Sequence, residues 1–81
     1  MFKDRVHPHL LLMQDQQRFG EAVRALRTEK GWSQDVFADK SGIHRADVGA
    51  IERGERNVTL KTMRIIADTF GVKIADLVNK L

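Results

Sequence analysis

The sequence predicts an all-α fold of five short helices around one core, and three observations predict it. Apolar residues recur at spacings of three and four along most of the chain. Glycines stand where those runs stop, at Gly31, Gly42, Gly54 and Gly71. No stretch carries the pattern of a strand, and there is no internal repeat or low-complexity segment. With 81 residues there is material for one domain only. A domain of that size is marginally stable alone, and self-association would help it.

Each element can be justified in turn. Residues 1–15 read as an N-terminal extension and 16–81 as the domain. Met1 to His7 has no period, and Pro8 suits the first turn of a helix. A first helix is predicted over 16–30, where Phe19, Val23 and Leu26 form a stripe that Ala22 and Ala25 widen. Leu12 lies seven residues before Phe19, which allows an earlier, helical start. Ser33 is a good N-cap for a second helix over 34–41, with Phe37 and Ala38 inward. Gly42 ends it. A third helix runs from about His44 to Arg53 with Val48 and Ile51 facing the core, and Gly54 closes it. Two short helices about a tight turn, over roughly 33–54, have the length of a helix-turn-helix. After a loop over 55–58, Thr59 caps a fourth helix whose stripe is Leu60, Met63, Ala67 and Phe70, with Ile66 beside it. A last short helix over 74–79 carries Ile74, Leu77 and Val78.

Composition narrows the function classes. There is no cysteine, so disulfides and thiolate-ligated zinc are excluded. No apolar run approaches the ~18 residues of a membrane span. Lys3 and Arg5 give a basic start, but Leu10-Leu11-Leu12-Met13 is too short for a signal-peptide core. A soluble cytoplasmic protein is the expectation. The net charge of +3 is compatible with nucleic acid.

The motifs point further. Ser33-Gln34, Ala38 and Gly42-Ile43, then Val48 and Ile51-Glu52-Arg53-Gly54, then Leu60, Ile66-Ala67 and Phe70-Gly71-Val72 resemble the Cro and phage-repressor (XRE-like) type of helix-turn-helix. The resemblance covers roughly residues 18–80 at fixed spacing. Within that type, Lys40-Ser41-Gly42-Ile43-His44-Arg45 and Glu52-Arg53-Gly54-Glu55-Arg56-Asn57 resemble the controller proteins of restriction–modification systems, small dimeric regulators without a further domain. The resemblance implies a homodimeric regulator of transcription on a palindromic double-stranded operator. No cofactor, metal or small-molecule effector is implied.

A helix fits the major groove, where each base pair shows its own donor and acceptor pattern. The exposed face of the third helix opens with Arg45, Ala46 and Asp47 and continues with Gly49 and Ala50, the candidate base readers. Arg45 can pair bidentately with guanine, and the small residues permit close approach. Asp47 is the departure from the controller pattern, which tends to a larger neutral residue there. A carboxylate accepts from cytosine but repels phosphate; holding Arg45 or Arg53 is its other use. Phosphate contacts are expected from Ser33 and Gln34 at a helix start, from His44, and from Arg53, Arg56, Asn57 and Lys61 around the following loop. The competing readings are capping for Ser33 and Gln34, and a solvated charge run for the loop. Glu52 follows inward Ile51, and the resemblance pairs it with Arg27 in a structural ion pair. The last helix and terminus offer Ile74, Leu77, Val78 and Leu81 as a dimer interface.

Other signals carry less. His7-Pro8-His9 lacks further metal ligands nearby, Asn57-Val58-Thr59 matches a glycosylation pattern by chance, and Trp32 reads as a lid on the core. No nucleophile–base constellation or phosphate-binding glycine loop is evident, so catalysis is not expected. The rival reading is an antitoxin-like protein-interaction module. Three consecutive leucines, Leu10 to Leu12, cannot share one helix stripe, and an exposed patch there would need a partner. A neighbouring toxin or methyltransferase gene separates the two readings.

Overall fold

The computed structural model describes residues 8–79 and 81, and residues 8–12 as backbone alone. Among the described residues there are five helices and no strand: α1 Pro8–Glu29, α2 Gln34–Ser41, α3 Arg45–Glu52, α4 Leu60–Phe70 and α5 Ile74–Val78. The chain is all-α, as its periodicity predicts.

The second to fourth helices start and stop within a residue or so of the expected places. Ser33 Oγ accepts from the Val36 N–H and Thr59 Oγ1 from the Thr62 N–H, so both predicted caps are made. Gly42 adopts φ 77°, a left-handed conformation that ends α2 and turns the chain into α3. The first helix takes the earlier start that Leu12 and Pro8 allow: it begins at Pro8, so residues 8–15 continue α1 and the boundary expected between 15 and 16 falls within a helix. The leucine patch of residues 10–12 and the His7-Pro8-His9 segment lie outside the described side chains; Met13 is exposed.

The core joins α1 to the other four helices. Phe19 and Val23 from α1 meet Phe37, Val48, Ile51, Ile66, Phe70 and Leu77. Each such side chain contributes about 1.5–3 kcal/mol of transfer free energy. Three near-parallel aromatic rings cluster in its middle: Phe37 and Phe70 with centroids 4.7 Å apart, and Trp32 5.7 Å from Phe70 and 6.5 Å from Phe37. Trp32 is the half-buried lid expected of it, and the Lys30 and Lys40 ammonium groups lie over its ring at 5.4 and 5.0 Å. Leu60 was expected in the α4 stripe but is 69 % exposed. As the first residue of α4 it projects past the core, and the inward stripe begins at Met63.

One packing feature sets where α3 lies. Gly20, inside α1, touches its backbone: a Cβ there would stand 2.3 Å from the Ile51 carbonyl oxygen and 2.7 Å from that of Glu52. Just beyond α3, a Cβ on Gly54 would stand 2.8 Å from Gln17 Cα. A mid-helix glycine costs about 0.5–1 kcal/mol relative to alanine. Here it lets α1 press directly on the end of α3 and leaves the opposite side of α3 to solvent.

Candidate nucleic-acid interface

The solvent side of α3 carries a basic stripe. Arg45, Gly49 and Arg53 are spaced four apart and so share one helix face. A Cβ at Gly49 would lie 3.1 Å from Arg45 Nη1 and 3.0 Å from Arg53 Nη1. The two guanidinium groups therefore converge over the space that the missing side chain leaves. Gly49 is buried beneath them. Ala46 is exposed beside Arg45. Ala50 is only 8 % exposed. That leaves it little surface to offer a base edge.

Each exposed arginine of this face has a carboxylate of its own chain. Arg45 Nε lies 3.3 Å from Asp35 Oδ1, and Arg53 Nε donates to Glu55 Oε2 at 3.0 Å. Arg56 Nη2 donates to Asp47 Oδ1 at 2.5 Å. Asp47 thus holds neither Arg45 nor Arg53, the two partners weighed for it from sequence. The Arg53 bond lowers the Glu55 carboxyl below its ordinary value and raises Arg53. Asn57 and Lys61 are exposed near the same edge, and His44 is the exposed N-cap residue of α3 without a side-chain cap bond.

Behind α3 is a polar anchor. Arg27 donates to Glu52 through Nε at 2.6 Å and Nη2 at 3.0 Å, with side chains only 14 % and 4 % exposed. Arg27 Nη1 also donates to the Trp32 carbonyl at 2.8 Å. Gln34 Nε2 donates to Glu52 Oε1 at 2.9 Å. Burial pushes the Glu52 carboxyl up, but bonds from Arg27 and Gln34, with the Arg27 and Arg24 charges, hold it below its ordinary value. The bond to Glu52 raises Arg27 further despite its burial. Among the described residues no buried side-chain polar atom lacks a partner.

The residues expected to contact phosphate at the α2 start are partly engaged within the protein. Ser33 Oγ accepts the Val36 N–H, which leaves its own O–H to donate, and Gln34 gives one of its two amide N–H groups to Glu52. Sequence reasoning paired Arg27 with Glu52 but missed Gln34 as the third member; its place in the first turn of a helix facing the α3 end was the only signal. Of the expected dimer residues, Leu77 is 1 % exposed and fills the core, so it offers nothing to a partner. Ile74 and Val78 are half-buried and Leu81 is exposed. Among the described residues no group of His, Asp and Glu is arranged to hold a metal, and no helix is long and apolar enough to cross a membrane.

Comparison with known proteins agrees with this geometry. A family described as helix-turn-helix (HTH_3) matches residues 23–77. Control protein C.SmaI of Serratia marcescens is 40 % identical over 60 residues, 74 % of this chain and 71 % of that protein. Control protein C.BamHI of Bacillus amyloliquefaciens is 39 % identical over 62 residues, 75 % of this chain and 76 % of that protein. The crystal structure of the restriction–modification controller protein C.AhdI from Aeromonas hydrophila superposes with a TM-score of 0.76 at 41 % identity, covering 79 % of this chain and 97 % of that one.

Proposed function

This chain belongs to the helix-turn-helix family HTH_3, and from that premise we propose that it is the controller of a restriction–modification system, working as a homodimer on a palindromic operator. It is a DNA-binding regulator of transcription. The likeness to C.SmaI, C.BamHI and C.AhdI supports the controller reading, and the observation that carries the DNA-reading face is the convergence of Arg45 and Arg53 over Gly49 on the side that α1 leaves free. Two guanidinium forks on one helix face match the O6 and N7 acceptors of guanine in the major groove and the oxygens of the flanking phosphates. Arg45, at the start of α3, is assigned to the base edge, with Ala46 leaving room beside it. Arg53, Arg56, Asn57, Lys61 and His44 are assigned to the backbone, which positions the protein without reading sequence.

The Arg27–Glu52–Gln34 cluster supports this face, because it ties α1 and α2 to the end of α3, and the donors that Ser33 and Gln34 have left are assigned to phosphate. Ile74, Val78 and Leu81 are the surface assigned to the dimer, and two-fold pairing would set the α3 helices about 34 Å apart, one turn of DNA. A protein that works on DNA in this way belongs in the cytoplasm. Selection of bound duplexes from a random pool tests the proposal. The expected result is a palindromic consensus with a guanine in each half-site. Recovery of sequences no different from the input pool would rule out a sequence-specific regulator.

A further inference from the structure

We propose that Asp47 is a specificity-determining residue that acts through Arg56, holding that guanidinium so that the DNA-facing surface grips phosphate poorly unless base contacts are also made. The inference rests on the reading of α3 as the DNA-reading helix. Asp47 is the third residue of α3, on its first turn and next to Arg45 and Ala46. Its carboxylate takes the Arg56 guanidinium from the loop after α3, nine residues along the chain. The Asp47 side chain is 34 % exposed, against 82 % for Asp35 and 58 % for Glu55, the other two carboxylates on this face. It stands at a cleft whose apolar lining is Ile43, Ile51 and Val58. The Arg56 link is thus the least solvated of the three ion pairs that neutralise this face.

The consequence is electrostatic. All DNA offers phosphates, and a free Arg56 would bind them in any sequence. With Asp47 present, Arg56 either keeps its carboxylate and contributes little, or leaves it and exposes a negative charge to the phosphate field. Both outcomes weaken binding that relies on phosphates alone. A cognate site escapes this cost where a cytosine amino group faces Asp47 and takes its carboxylate as Arg56 turns to phosphate; a random duplex does not. Specificity is a difference of affinities, and a repulsive element set against the wrong partner widens it.

The test uses the full chain and three variants, Asp47→Asn, Arg56→Ala and the double variant, with Asp47→Ser as a second removal of the charge. Each is titrated against the duplex selected by the wild type and against a random-sequence duplex of equal length, with thermal melting alongside. Asp47→Asn and Asp47→Ser are expected to raise random-duplex affinity about fivefold per chain, the scale of one exposed ion pair. The slope of log K against log salt should steepen by about 0.9 for each arginine so released. Specific affinity should rise less, so the specificity ratio falls, and the gain should vanish in the Arg56→Ala background. Unchanged or lowered random-duplex affinity in both charge-removal variants overturns the role of Asp47, as does an equal gain without Arg56. Wild type that prefers neither duplex overturns the DNA-reading assignment itself, a result distinct from either.

Discussion

Arg45 and Arg27 are both arginines near α3, and their surroundings give them opposite jobs. Arg45 is half exposed beside a loose carboxylate partner, whereas Arg27 is nearly enclosed and makes three hydrogen bonds within the protein. Arg45→Ala is therefore expected to weaken specific binding by about 1–3 kcal/mol per half-site while leaving random-sequence affinity nearly unchanged. Equal losses on both duplexes would make Arg45 a phosphate contact. Arg27→Ala should act on the fold, because it leaves Glu52 buried without its cation. A loss of about 3–5 kcal/mol in denaturant unfolding is expected. Glu52 adds a pH dependence. Its folded carboxyl titrates below its ordinary value, so its stabilisation is complete above the unfolded value of about 4.3 and is lost as pH falls through the folded one. The melting-temperature gap between wild type and Glu52→Gln should be widest near neutrality and shrink towards pH 3; a gap that does not change with pH would mean the carboxylate charge contributes nothing.

At the scale of elements, the meeting of α1 and α3 matters more than either helix's own propensity. Gly20→Ala raises helix propensity, yet its methyl has nowhere to go against two backbone carbonyls. We expect a net loss above about 2 kcal/mol, with specific DNA affinity falling as α3 is pushed outward. A stabilised Gly20→Ala protein would show that the helices can separate without cost. Leu60 and Leu77 make the complementary pair. Leu77→Ala should cost about 2–5 kcal/mol as a core truncation, whereas Leu60→Ser should stay within about 0.5 kcal/mol because Leu60 is exposed at the start of α4. Chemical denaturation of both variants checks the assignment.

For the whole molecule, the basic excess is spread thinly: +3 over the chain, with the three arginines around α3 each facing a carboxylate. Affinity must then come from a few well-placed phosphate contacts rather than from bulk charge. If about six phosphates are neutralised per dimer, log K should fall against log salt with a slope near −5. A slope near zero would leave the DNA face without its electrostatic basis. Dimerisation belongs to this scale too. Sedimentation at tens of micromolar, with and without DNA, should show the dimer (a weak dimer on the affinity scale), and monomer alone in both would remove the two-fold arrangement.

Periodicity and punctuation determined the helices by themselves. Apolar stripes at three and four, with Ser33, Thr59 and the glycines at the ends, are local signals, and local chemistry makes the caps wherever the rest of the chain goes. Arg27 could be paired with Glu52 through the family pattern alone. What the sequence did not determine was which polar groups remain free for DNA. Ser33 and Gln34 read as phosphate ligands and Ala50 as a base reader, whereas packing also engages the first two in a cap and with Glu52 and leaves the third only 8 % exposed. Leu77 read as interface until it filled the core. The reason is physical. Helix periodicity fixes the angle between side chains on one helix, but not the rotation of that helix against its neighbours. That rotation is set where Gly20 lets α1 touch the Ile51 and Glu52 backbone, a contact between residues more than thirty apart along the chain. Only the tertiary structure decides it, and with it which side of α3 is left for the groove.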